Sequence, residues 1–175
     1  MLSFFRSAEW LMVQYARYHR SRRNIATHLV GIPMIFVAIG VFMAGTGWTV
    51  AGQPVTLAWV MWAVTSLWYL GRGHLFLGMA TTLVNGLLIA LSHHLLQLAL
   101  MAGVPGWQLG LALFVLGWVL QFVGHYFEGR KPAFVDDIVG LLVGPMFVVA
   151  ELLIALGLLG GLHRAVERQA GPTCR

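Results

Sequence analysis

Apolar residues run along this chain in five long blocks, at about 26–44, 55–71, 75–101, 107–127 and 138–161. The first four contain no Asp, Glu, Lys or Arg, and the fifth contains only Glu151. Crossing about 30 Å of hydrocarbon takes roughly 20 mostly apolar residues in a helix. The pattern therefore predicts an all-α, polytopic helical membrane protein with about five transmembrane helices. Ahead of the blocks, "SFFRSAEWLMVQYARYH" puts Phe4, Ala8, Leu11, Met12 and Tyr15 on one helical stripe, with Arg6, Gln14 and Arg17 off it. That is an amphipathic helix, either lying in the membrane interface or packing on the ends of the bundle. The expected organisation is a single integral membrane domain over 1–175. It comprises an interfacial helix and basic segment at 1–23, a transmembrane bundle at 24–161 and a polar tail at 162–175. The first twenty residues lack a continuous apolar core and a small-residue cleavage site, so no cleavable signal peptide is expected.

Composition agrees with this reading. The chain is 59% hydrophobic and 10% charged, with a mean hydropathy of +0.80, against about a quarter charged residues in a typical soluble domain. The net charge of +5 is too small and too local to argue for nucleic acid, and it bears instead on orientation. Arg17, Arg20, Arg22 and Arg23 precede the first block, while Arg72, Arg130 and Lys131 fall in alternate connections. The stretches "GTGWTVAGQP" and "AGVPG" carry no charge. By the positive-inside rule the N-terminus is cytoplasmic. A straight fifth span would leave Arg164 and Arg168 outside. Either that segment is broken or re-entrant around Gly144, Pro145 and Glu151, or the tail is an exception. The same topology puts His19, His28, His74 and His125 at one membrane level, and His93, His94 and His163 near the other. Cys174 is the single cysteine, which excludes a disulfide framework and a cysteine metal site.

The chemistry-bearing residues cluster by helical face. Gln121, His125 and Glu128 are spaced i, i+4, i+7, and Trp118 extends their stripe. Polar groups inside a membrane are costly and usually face the bundle interior or a watery cavity, although Glu128 and His125 near a helix end also suit headgroup water. Asn24 and His28 are adjacent on a helix, with Asn24 the expected N-cap of the first span. His19 and His28 lie on opposite faces of an unbroken helix, so they converge only if the chain turns between them, at 21–24. Glu151 would face His125 if the last helix begins at Pro145. Asp136 and Asp137 are expected to cap that helix or to balance Arg130 and Lys131. Three histidines with a nearby carboxylate match the nitrogen and oxygen donors suited to iron, manganese or zinc, and the spacing does not choose among them. Other uses of the same groups stay open: an axial haem clamp, a proton relay or transporter without metal, or a lipid-binding scaffold. The likeness of "GHLFLG" to "GHYFEG" is read as chance.

The segments "YHRSRRNIATHLVGIP", "WVLQFVGHYFEGRKPAFVDD" and "GPMFVVAE" together resemble the Mpo family of membrane 2-hydroxy fatty acid dioxygenases, known from the fungal endoplasmic reticulum and from bacteria. The resemblance covers both ends and the last two blocks, while 45–117 shows no matching motif. It implies Fe(2+)-dependent alpha-oxidation, in which O2 cleaves a 2-hydroxy fatty acid to an acid one carbon shorter. Carried over, His19, His28 and His125 would bind the metal, with Asn24, Gln121, Glu128 and Glu151 beside them. His74 has no counterpart and stays outside the site. Arg22, Arg23, Arg130 or Lys131 would attract the substrate carboxylate at the interface. The expected setting is the bacterial inner membrane, or the endoplasmic reticulum if the source is eukaryotic, with no nucleic-acid partner and a homo-oligomer left open.

Overall fold

A computed structural model describes residues 3–174, with the side chain of Phe134 left aside. The protein is helical: α1 (Ala8–Ala16), α2 (Arg22–Ala44), α3 (Leu57–Leu70), α4 (Leu75–Met101), α5 (Gly106–Glu128), α6 (Gly140–Ala155) and α7 (Gly160–Ala170). A small antiparallel hairpin, β1 (Gly47–Val50) and β2 (Gln53–Thr56), fills the loop after α2. Ala51 and Gly52 both take positive φ at its tip, which suits the twist of a two-residue hairpin loop.

Among the described residues, α2, α4 and α5 are long and apolar enough to cross a membrane; α6 and α7 qualify only as a pair, bent by 114°. The chain is thus a polytopic helical membrane protein with three or four spans, fewer than the block pattern predicts. Two blocks account for the difference. The hairpin takes the start of the second, leaving α3 with 14 residues, roughly 21 Å at 1.5 Å per residue and short of the hydrocarbon thickness. The fifth block is broken, as one sequence reading allowed, but not at Gly144–Pro145. Its helix begins at Gly140 and carries Pro145 inside it. The break lies at Gly157, with φ of +77°. There the amide of Gly157 reaches the Ile154 carbonyl at 2.9 Å, and that of Leu158 reaches Leu153 at 2.9 Å. These bonds close a Schellman motif that stops the helix. Beyond it, α7 turns back and buries Leu162, Ala165 and Val166, packing against α1.

Glycines set the tightest helix pair. Gly110, Gly117 and Gly124 recur every seventh residue on the α5 face that meets α2. A Cβ on Gly117 would lie 3.0 Å from the Gly31 carbonyl, and one on Gly124 would run into Asn24, Thr27 and His28. Without a hydrophobic drive between helices in lipid, such small-residue seams are what permit close packing. The seam draws His28 and His125 together. Of the two readings of the N-terminal helix, packing on the bundle is the one observed: Ala8, Leu11, Met12, Val13, Tyr15 and Ala16 are all buried.

Candidate metal centre and cavity

His19 follows α1 in the turn that leads into α2, and its ring is fully buried. Its Nδ1 lies 2.7 Å from the Tyr15 carbonyl, while Nδ1 of His28 lies 2.9 Å from the Asn24 carbonyl. A carbonyl only accepts, so each Nδ1 carries the proton and each neutral ring presents a bare Nε2 lone pair. Those two Nε2 atoms face each other at 3.1 Å. His125, on the last turns of α5, completes a triangle of rings whose centroids lie 4.5, 5.0 and 4.9 Å apart. One ligand atom from each lies within 4.8 Å of the others. Burial first, and His28 second, push the His19 pKa well below its ordinary 6.5, so a second proton is not the favoured way to relieve the facing lone pairs. A cation is. Nδ1 of His125 is likewise buried without a hydrogen-bond partner.

The donor set suits a metal. Bonds of about 2.1 Å place neighbouring ligand nitrogens roughly 3.0–3.4 Å apart, whereas two trans ligands would need roughly 4 Å. The observed 3.1 Å fits adjacent positions on one ion better than an axial haem clamp. Carbonyl acceptors on the outer ring nitrogens are the usual device for fixing tautomer and orientation in such sites.

The turn bearing His19 is clamped from two sides. Glu128, at the end of α5, accepts from the backbone amides of Arg20 at 2.9 and 3.0 Å and Ser21 at 2.8 Å, and from Asn24 Nδ2 at 2.9 Å. It serves the N-terminus of α2, whose N-cap Ser21 makes no side-chain cap bond. A carboxylate is favoured there by the helix dipole. The C-terminal segment holds the other side: Cys174 N–H donates to the Arg20 carbonyl at 2.7 Å, and Arg22 N–H donates to the Cys174 carbonyl at 3.1 Å. Arg20 Nη1 adds a bond to the Gly171 carbonyl at 2.6 Å.

Beside the histidines opens a cavity of about 300 Å³ between α2, α5 and α6. His28, His125, Gln121 and Tyr15 line its polar end, while Ile32, Ile35, Ile39, Phe114, Trp118 and Pro145 are among its apolar walls. Gln121 and His125 are both buried, as their shared stripe predicts.

The other predicted site residues are placed as follows. Asn24 lies inside the first turn of α2 and is not its N-cap; its amide bridges Glu128 and the Tyr18 carbonyl. Glu151 shares a recess of about 20 Å³ with Arg20 and His163, and neither it nor Glu128 belongs to the converging histidine group. His163 is therefore not at the far face: the α6–α7 bend returns it beside Arg20. Arg23 sits over the Phe127 ring at 5.3 Å, Arg130 bonds the Arg17 carbonyl at 2.8 Å and Lys131 pairs with Asp136 at 2.6 Å. None of the three lines the cavity. His74 caps α4 through Nδ1 and the Leu77 amide at 3.3 Å. Tyr15, stacked on His19 at 4.2 Å and 7°, is a cavity residue that spacing alone did not single out, because it reads as one more apolar position of α1.

The sequence model of the family described as "2-hydroxy-palmitic acid dioxygenase Mpo1-like" matches residues 5–156. The chain is also 29% identical over 160 residues to 2-hydroxy-palmitic acid dioxygenase MPO1 of Saccharomyces cerevisiae, an alignment covering 87% of this chain and 83% of the yeast protein. No solved structure matches it. The family match runs from before α1 to the end of α6 and takes in all three converging histidines, so the chain belongs to the Mpo1-like family.

Proposed function

We propose that this protein is a membrane dioxygenase of 2-hydroxy fatty acids, with ferrous iron held by His19, His28 and His125. The observation that carries the reading is the convergence of the His19 and His28 Nε2 atoms, 3.1 Å apart, with His125 at the polar end of an apolar cavity. Family membership supplies the substrate class. Bound there, ferrous iron would supply redox-active electrons and open positions for O2 and for a 2-hydroxycarboxylate. The protein's own part is placement. Tyr15 and Asn24 carbonyls hold two rings in the metal-binding tautomer, and Glu128 fixes the turn that carries His19. The Ile32–Ile35–Ile39 face of α2 and Phe114 and Trp118 of α5 give an acyl chain a dry wall. Gln121 presents an amide among the polar groups of the site. Arg23, Arg130 and Lys131 lie outside the cavity, so their proposed role is limited to drawing carboxylates toward the charged end of the bundle. Glu151 is proposed as a support for Arg20 and thereby for the His19 turn.

The test is reconstitution. Protein purified in detergent and loaded anaerobically with Fe(II) is given 2-hydroxypalmitate and O2. An iron-dependent product one carbon shorter, identified by mass spectrometry, is the expected result. Stoichiometric iron with no chain shortening over a range of 2-hydroxy acids would reject the activity and leave only the metal site.

A further inference from the structure

The inner end of the cavity lacks a cation of its own: among the described residues lining it there is no lysine or arginine. A carboxylate brought there needs donors besides a metal. One is conspicuous. The Tyr15 side chain is 8% exposed and lines the cavity, and burial alone, with no hydrogen-bonded partner among the described residues, accounts for the upward push on the pKa of its hydroxyl. A buried tyrosine hydroxyl usually finds a partner. The oxygen sits where a Cβ on Gly144 would come within 3.3 Å of it and 3.2 Å of Ile32 Cδ1. Gly144, Ile32 and Tyr15 all line the cavity with His28, Gln121 and His125. The ring stacks on His19, and the same residue's carbonyl holds His19 Nδ1.

We propose that the Tyr15 hydroxyl binds the substrate head group, donating a hydrogen bond to its carboxylate while the tail lies along the α2–α5 wall. This rests on the functional reading above. One residue then serves both partners of the reaction, its backbone orienting a metal ligand and its side chain orienting the acid. A carboxylate brought to this polar end would offer an oxygen acceptor that the Tyr15 hydroxyl suits.

Tyr15→Phe removes the hydroxyl and keeps the ring, the stack and the carbonyl. In Fe(II)-loaded protein under anaerobic conditions, binding of 2-hydroxypalmitate is read by tryptophan fluorescence, with Trp118 in the cavity wall as the reporter. The variant should keep full iron content and its melting temperature, and should bind the acid about 10- to 100-fold more weakly, the loss typical of a hydrogen bond to a charged group. Binding of 1,2-hexadecanediol, which lacks the carboxylate, should not change. Unaltered affinity for the acid, or equal losses for acid and diol, would overturn the proposal. If the parent protein binds the acid through Tyr15 but never shortens it, the assignment of Tyr15 stands and the dioxygenase reading fails.

Discussion

Two imidazoles with their lone pairs aimed at each other make the apo site sensitive to acid. Folded His19 is held neutral by burial and by His28, whereas in the unfolded chain it takes up a proton below about pH 6.5. The unfolded state then binds more protons, so stability is full above about pH 6.5 and declines as pH falls below it. Metal binding requires the same neutral rings and weakens in the same direction. Thermal melts of apo and iron-loaded protein between pH 8 and pH 5 should therefore show both destabilised on acidification, with His19→Gln flattening the apo profile. A flat profile in the parent protein would contradict the neutral buried site. Counting spacing and topology put His19, His28, His74 and His125, four of the seven histidines, at one membrane level, and it took the family resemblance to set His74 apart from the other three. Tyr15 was not legible: whether an aromatic on an amphipathic stripe points its hydroxyl into a cavity depends on what α6 puts opposite it.

At the scale of the elements, the site depends on how closely α2 and α5 approach and on the turn before α2. Gly124→Ala would push a methyl into Asn24, Thr27 and His28, an overpacking that typically costs about 1–3 kcal/mol. It should lower the melting temperature and iron content together, whereas Gly45→Ala, with nothing within 4 Å of its Cβ, should change neither. Glu128→Ala strips three donors of their shared acceptor, at about 1–3 kcal/mol for a buried group left unpaired. It should weaken iron retention through His19 without touching a ligand, and Glu128→Asp should restore part of it. An iron content unchanged in Glu128→Ala would dismiss the clamp. The i, i+4, i+7 count correctly put Gln121 and His125 on the cavity face, but it could not show that Glu128 turns to a helix N-terminus. That role appears only once α2 begins at Arg22 beside the end of α5. The block pattern gave about five spans where three or four helices are long and apolar enough, since hydropathy does not register a hairpin that shortens α3 or a Schellman turn that ends α6.

Across the whole molecule, the described charged residues gather at one end. Residues 24–71 and 73–127 contain no Asp, Glu, Lys or Arg, and the charged segments meet: Ala8 N–H bonds the Arg72 carbonyl at 2.8 Å and Cys174 pairs with Ser21. The α6–α7 bend packs the helix bearing Arg164 and Arg168 against α1, which removes the conflict that a straight fifth span raised with the positive-inside rule. If this end is cytoplasmic, exposed Cys174 should react with a membrane-impermeant maleimide in inside-out vesicles of the host membrane and stay protected in right-side-out ones. The opposite pattern would reverse the orientation.

If His19, His28 and His125 together hold one metal ion, elemental analysis reads it most directly. Protein purified in detergent without chelator should carry near-stoichiometric iron, and His125→Ala should lose it while keeping its helical circular dichroism. His94→Ala, altered outside the cluster, should keep its iron. Full iron in His125→Ala, or none in the parent protein after anaerobic Fe(II) loading, would contradict the account.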